Sequence, residues 1–385
     1  MLYPDGEIAQ MLSGIASGAT YHVFYGNTLR IPANCNLKVI ILKFAPQLQT
    51  IKVSGTNNVL HALHVHESAM RRIPTSLRHL QGLQTLLLKK GVLRTFSLEN
   101  LEGIRNLTTV GLRFNMLRRL EPSKDSQLIM PIEDLDLSYN QLEFVDMEFF
   151  IPFKRLQRLQ LNYNQIKQII ATNSFVLPLL HYMDLDNNEL KQLNVSKWNV
   201  LKLDVLMLDN NNLSQLPIGI DRFTSLLSLY LSHNQLTTLD LRELEPLQKL
   251  RRLQVFNNQL HTVQPNCQAL QNNICQRVSL PTLNHLDLHD NKLTSIDFNS
   301  WDLPELRMLD LSTNQLKRVL NLNKKFLKLK ELLMHHNDIY CLVRNGTKKD
   351  YNMVFDVQAA TDNTTCLSNS SFPHPYEQGV TCCND

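Results

Sequence analysis

Residues 132–142 read IEDLDLSYNQL, residues 156–166 read LQRLQLNYNQI and residues 180–190 read LHYMDLDNNEL. Laid over one another they share one pattern, L-x-x-L-x-L-x-x-N-x-L, in which apolar and polar positions alternate and then give way to asparagine. Alternation with a period of two is the mark of a short strand with one face buried. The chain must then turn while still interior, and an Asn side chain can bond the backbone of an adjoining coil there. The pattern continues outward in both directions. It places asparagines at Asn115, Asn140, Asn164, Asn188, Asn211, Asn234, Asn258, Asn291, Asn314 and Asn337, with intervals of 23 to 25 residues apart from one of 33. Upstream, LHALHVHESAM and LQTLLLKKGVL keep the apolar positions but carry Ser68 and Gly91 in place of Asn.

A second column supports the first. Three places before each repeat begins stand Leu80, Ile104, Ile129, Phe153, Leu177, Val200, Phe223, Leu247, Leu280, Leu303 and Phe326. All are apolar, so the return half of every coil is expected to face the core as well. The fold that follows is an α/β solenoid, a leucine-rich-repeat horseshoe with a parallel concave sheet, about 12–13 repeats and a cysteine-containing C-terminal cap. We divide it into an N-terminal cap at residues 1–36, a solenoid at 37–340 with a cysteine-bearing insertion near 264–280, and a C-terminal cap at 341–385.

Length and charge restrict the function. The 385 residues are 43% hydrophobic and 19% charged with a net charge of +4, a surplus too small to argue for nucleic acid. No run of about 18 apolar residues occurs, so no membrane span is expected. The opening MLYPDGEIAQMLSGIASG lacks an early basic residue and an apolar core, so it does not read as a secretory signal. Either the protein is cytosolic or its true N-terminus lies upstream. The 7 cysteines favour the second reading, because most fall where a secreted protein places disulfides. Cys267 and Cys275 lie in the insertion PNCQALQNNICQR, where a disulfide would pin the loop and the alternative is two exposed thiols. Cys341, Cys366, Cys382 and Cys383 lie in the tail; the last two are adjacent, so each is expected to pair elsewhere. Cys35 sits in the N-terminal cap, with its natural partner expected upstream. Of six N-x-[ST] sequons, Asn363 and Asn369 are the expected glycosylation sites.

The x positions of the strands form the expected binding face. Phe114, Tyr139 and Tyr163 fall in one column on consecutive coils, close enough to stack, and exposed aromatics favour protein contacts. The alternative is a ladder that simply covers the sheet. Asp134, Asp136, Asp184, Asp186 and Asp209 are expected to project from neighbouring strands, with Asp287, Asp290 and Asp310 further along and Lys89, Lys90 and Arg113 at the basic end. From this set Asp184, Asp186 and Asp209 join the aromatics as expected partner contacts, although a solvated face needs charge in any case. No nucleophile or glycine-rich phosphate loop accompanies the acids, so no catalytic residue, cofactor or enzyme activity is expected. His64 and His66 share one strand face with His61 nearby, but that spacing is too open for a tight metal site.

The repeats, followed by HHNDIYC, a spacer with Cys366 and a terminal GVTCCND, resemble the mosquito leucine-rich-repeat immune proteins. The resemblance runs from about Leu60 to Asp385; the repeats are shared with toll-like receptors and many others, while the last fifty residues are more specific. It implies a secreted haemolymph protein that pairs with another leucine-rich-repeat chain through a disulfide; by position in this chain the bridge is expected at Cys366 rather than Cys341. It also implies that the pair holds a complement-like thioester protein for defence. The residues given include neither the family's signal peptide nor the coiled coil that normally follows its double cysteine, so either a trimmed fragment or a short, coil-less member is expected. Two other readings stay open: the ectodomain of a membrane-anchored toll-like receptor, and a cytosolic leucine-rich-repeat scaffold.

Overall fold

The computed structural model describes residues 17–263, 277–322 and 326–339, together with the backbone of the strands Cys341–Leu342 and Asn352–Val354. The chain divides into two compact units, Met1–Leu190 with Lys197–Leu203, and Lys191–Ser196 with Asp204–Asp385. Both are stretches of leucine-rich-repeat solenoid. Among the described residues no helix is long and apolar enough to cross a membrane.

In the first unit the strands Gly18–Tyr21, Val39–Leu42, Ala62–His66, Thr85–Lys89, Thr109–Gly111, Asp134–Asp136, Arg158–Gln160 and Tyr182–Asp184 pair in parallel, each with the next. Their register brings Ile40, Leu63, Leu86, Val110, Leu135, Leu159 and Met183 into one column, each at most 1% exposed. Burying one such side chain contributes about 1.5–3 kcal/mol relative to leaving it in water, and the repeat places one in every coil. The return side is built from 3-10 turns at Thr75–His79, Leu98–Asn100 and Met147–Phe150 and from short parallel ladders such as Phe144–Asp146 with Gln168–Ile170. A 3-10 turn rises about 2.0 Å per residue against about 1.5 Å for an α-helix. It therefore spans the return with fewer residues, which suits coils this short. Phe149 anchors that side, with ring centroids 5.5 Å from Phe96, 5.1 Å from Phe150 and 5.9 Å from Phe153.

Two expectations need correcting in this unit. Ile129 does not face the core; it is 70% exposed, and Met130 takes its place at 2%. The 25-residue interval before Asn140 is one or two residues longer than the other regular intervals, and its inward return position falls one place later in the chain. The stack also begins earlier than residue 37. Thr28–Ile31 already pairs with Thr50–Val53, and Asn57 performs the turn role without matching the template, donating from Nδ2 to the carbonyl of Cys35 at 2.8 Å. Cys35 is a free, buried thiol.

The second unit repeats the plan with Val205–Met207, Ser228–Tyr230, Arg252–Gln254, His285–Asp287, Met308–Asp310, Glu331–Leu333 and Asn352–Val354. Leu206, Leu229, Leu253, Leu286, Leu309 and Leu332 form its inward column, all at 0% exposure. On the return side Asp240 caps the 3-10 turn Leu241–Leu244 by accepting the backbone N–H of Arg242 at 3.0 Å. Trp301 fills the core at 0% exposure, edge-on to Phe298 at 5.0 Å. Two parallel ladders run past the expected boundary at 340: Cys341–Leu342 pairs with Arg318–Leu320, and Asn352–Val354 pairs with Glu331–Leu333. Among the described residues the return sides of both units hold 3-10 turns and short strands, with no α-helix.

Candidate functional site

After each strand the chain enters the asparagine turn. Asn140 donates from Nδ2 to the carbonyl of Leu137 in its own coil at 3.0 Å and of Leu112 in the preceding coil at 3.1 Å, while its Oδ1 accepts the N–H of Leu117 at 3.0 Å. Asn115, Asn164 and Asn188 do the same in the first unit, and Asn234, Asn258 and Asn291 in the second. Each Asn thus ties two coils. At Gly91, which lacks this group, a Cβ would lie 2.8 Å from Asn115 Oδ1, so the next coil fills the space.

The turn has a consequence that the residue pattern did not disclose. The residue immediately before each Asn, and Lys90 before Gly91, is left-handed: Lys90, Phe114, Tyr139, Tyr163 and Asn187 have φ between 53° and 58° in the first unit, and Asn210, His233, Asn257, Asp290, Thr313 and His336 have φ between 50° and 54° in the second. Asn, Asp and His tolerate this region, whereas a bulky side chain costs roughly 1–2 kcal/mol there. Phe114, Tyr139 and Tyr163 occupy it nonetheless. They therefore lie not on the strands, as expected, but in the turn at their C-terminal ends. The column itself is present. Phe114 and Tyr139 stack with centroids 4.2 Å apart and planes 27° apart, and Tyr139 and Tyr163 stack at 4.2 Å and 8°. Arg113 Cζ lies 4.8 Å from the Phe114 ring centre and 5.4 Å from that of Tyr139. Stacking returns about 0.5–1.5 kcal/mol per pair, which offsets part of the backbone cost. Phe114 and Tyr163 remain 38% and 44% exposed, beside Met116 at 40%. Together with Lys90, Gln141 and Asn187 they line an open groove of about 660 Å³.

The acidic residues are less available than expected. Asp184 is 5% exposed; its Oδ1 accepts the N–H of Asp186 at 3.0 Å, and the Tyr182 hydroxyl lies 3.4 Å from Oδ2. Asp186 and Asp209 lie beyond the ends of Tyr182–Asp184 and Val205–Met207, in the turns and not on the strands. Asp209 accepts the N–H of Ser232 at 2.6 Å. Asp136 accepts from both the N–H and the hydroxyl of Ser138. Much of the acidic column therefore serves to close turns, since a carboxylate accepting the N–H two residues on mimics a backbone turn. Burial raises the pKa of Asp134, against the pull of Arg158, and raises that of Tyr182 further. His64 and His66 are lowered by burial first and by Lys89 nearby, a cation that would repel a metal at that position.

Asp184 yields a test. Burial raises its folded pKa above the ordinary carboxylate value, so the folded state holds the proton more tightly than the unfolded chain. Its favourable contribution is complete below the unfolded pKa and is lost as pH rises through the folded one. Asp184→Asn should therefore raise the urea midpoint at pH 7, and the gain should vanish near pH 3. A lower midpoint at pH 7 would mean that the hydrogen bonds to the charged form outweigh burial.

Sequence reasoning missed a second aromatic run, in the second unit. His233 meets Phe256 edge-on at 5.0 Å, and Phe256 stacks on His289 at 4.4 Å and 10°. Its members stagger between the left-handed position and the one before it, so no single aligned column reveals them. The expected disulfide residues Cys267, Cys275, Cys366, Cys382 and Cys383, and the sequons at Asn363 and Asn369, lie outside the described residues, as does the side chain of Cys341.

The geometry is that of an interaction scaffold, and comparison with known proteins agrees with the fold. A leucine rich repeat profile matches residues 131–194, 202–260 and 276–316. The chain is similar to a leucine-rich-repeat protein of Leptospira interrogans, with 20% identity over 88% of this chain and 94% of that one and a TM-score of 0.57. It is similar to the leucine-rich-repeat domain of APL1B at 21% identity over 80% and 89% of the two chains, with a TM-score of 0.57. A chain of the LRIM1/APL1C complex is similar at 20% identity over 82% of this chain and 61% of that one, again at 0.57. No curated protein sequence matches. The chain is thus a leucine-rich-repeat protein in its fold, and such folds are typically non-enzymatic binding scaffolds.

Proposed function

We propose that this chain is an extracellular innate-immune protein that acts by binding other proteins, with the Phe114–Tyr139–Tyr163 ladder and its Arg113 and Lys90 flank as the principal contact. In this reading it pairs with another leucine-rich-repeat chain through a cysteine of its C-terminal segment, Cys366 foremost, and the pair holds a complement-like thioester protein. The observation that carries the binding surface is conformational. Three bulky aromatics occupy a left-handed position that other coils fill mainly with residues suited to it, and Phe114 and Tyr163 stay exposed there. Strained positions concentrate where a surface has work to do. Exposed Tyr and Phe beside Arg also match the composition of interface centres. Support for the immune setting comes from the cysteine pattern of the last fifty residues and from the likeness to APL1B and to a chain of the LRIM1/APL1C complex.

The test is to produce the chain through a secretory pathway and compare non-reducing with reducing gels. A species of twice the mass that collapses on reduction, and is lost in Cys366→Ser, is the expected result. With a complement-like thioester protein co-secreted, the Phe114→Ala/Tyr139→Ala/Tyr163→Ala variant should lose at least ten-fold in affinity while folding normally. A monomer on both gels with no capture of the thioester protein would refute the reading.

A further inference from the structure

Within the second unit, the outward faces of two neighbouring strands bring two buried carboxylates side by side. Asp287 and Asp310 are register partners on His285–Asp287 and Met308–Asp310, at 7% and 8% exposure. Elsewhere the same position separates its acids: Asp136 and Asp184 are held apart by Gln160 on the strand between them. Between Asp287 and Asp310 lies one imidazole. His289 Nδ1 is 2.7 Å from Asp287 Oδ1 and 3.9 Å from Asp310 Oδ2. Among the described residues it is the sole group capable of positive charge within 4.0 Å of either carboxylate. Like charges desolvated together are costly, and a single imidazolium can neutralise one of two. A divalent ion with a neutral imidazole neutralises both.

The ligand set fits such an ion. One donor atom from each of Asp287, His289 and Asp310 lies within 4.8 Å of the others. Metal–ligand distances of about 2.0–2.2 Å place donors up to about 4 Å apart, so a shift of less than about 1 Å in side-chain position closes the site. The supports are already in place. Asp310 Oδ1 is fixed by the N–H and hydroxyl of Ser312 at 2.9 and 2.6 Å, leaving Oδ2 outside those bonds. Asp287 Oδ1 takes the N–H and ring nitrogen of His289, leaving its own Oδ2. The His289 ring is oriented by its stack on Phe256, and its side chain is 33% exposed, which provides an approach from solvent. The described residues supply these three donors, and solvent completes the shell. His285, two residues before Asp287 on the same strand, stands outside this cluster, and its Nε2 is buried with no hydrogen-bond partner among the described residues. Arg252 and Glu331 act on His285, with opposite signs.

We propose that Asp287, His289 and Asp310 form a binding site for a divalent transition ion, with the remaining coordination positions left to solvent. Mixed imidazole and carboxylate ligands select the zinc and cobalt class over calcium or magnesium, which prefer oxygen alone. Its role is to clamp adjacent coils, because the ligands come from both strands.

The test uses the full chain and Co²⁺, whose visible absorption reports ordered ligation and whose near-ultraviolet bands separate imidazole and carboxylate sites from thiolate ones. Wild-type protein should bind one equivalent without thiolate bands, displaced by Zn²⁺, and Zn²⁺ should raise its unfolding midpoint. His289→Ala, which leaves both carboxylates and every backbone bond in place, should weaken that equivalent at least ten-fold and abolish the Zn²⁺-induced rise. Asp310→Asn should do the same, whereas His261→Gln should change neither. Identical Co²⁺ binding in wild type and His289→Ala, or a rise in midpoint with Ca²⁺ but not with Zn²⁺, would overturn the proposal.

Discussion

Asn164→Ala should lower the stability of the first unit by about 3–5 kcal/mol, the largest effect expected from removing so few atoms. The side chain is 8% exposed, and Nδ2 donates to the carbonyls of Leu137 at 3.1 Å and Leu161 at 2.9 Å, while Oδ1 accepts from Leu142 N at 3.1 Å. Alanine leaves an amide of one coil and a carbonyl of the same coil without partners, and a carbonyl of the next as well. Each buried group left unsatisfied costs about 1–3 kcal/mol. Urea titration followed by circular dichroism measures the loss. In a solenoid each coil touches only its neighbours, so the transition should also broaden as the array separates on either side of the lesion. Gln165→Ala, one residue on and exposed, is the control and should stay within about 0.5 kcal/mol. A drop below about 1 kcal/mol for Asn164→Ala would show that water replaces the lost bonds and that the asparagine column is not what joins the coils.

Phe149→Ala should cost a similar amount, about 3–5 kcal/mol, by a different route. At 2% exposure the ring is shared among Phe96, Phe150 and Phe153, so truncation removes apolar burial and leaves a cavity walled by three aromatics that cannot all collapse into it. Phe144→Ala serves as the comparison. It removes the same ring from the same side of the unit, but from a side chain that is 46% exposed, and should lose less than about 1 kcal/mol. Equal losses for the two variants would mean that the return side is loosely packed and contributes area without specific fit.

Several features could be read directly from the residues because a solenoid is nearly one-dimensional. Leu135 and Leu159 are neighbours in space for the same reason that they are neighbours in the alignment: one coil separates them. The asparagine turn, the aromatic stack at 114, 139 and 163, and the inward leucines are all columns, and a period identifies a column. Ile129 departs from its column in the longest regular interval, and composition alone does not say whether Ile129 or Met130 turns inward.

Residue order alone set the coil, its period and the identity of what each column stacks, since repeating apolar positions can be buried only against their own copies in the next turn. Three-dimensional packing set how those columns are oriented and how deeply they are buried. It placed the three aromatics in left-handed turns instead of on strands, drew Asp184 into hydrogen bonds that leave it 5% exposed, and set His289 between Asp287 and Asp310. Those outcomes depend on backbone handedness, on depth below the surface and on the direction of single side chains. These are distances across the sheet, and a linear repeat does not encode them.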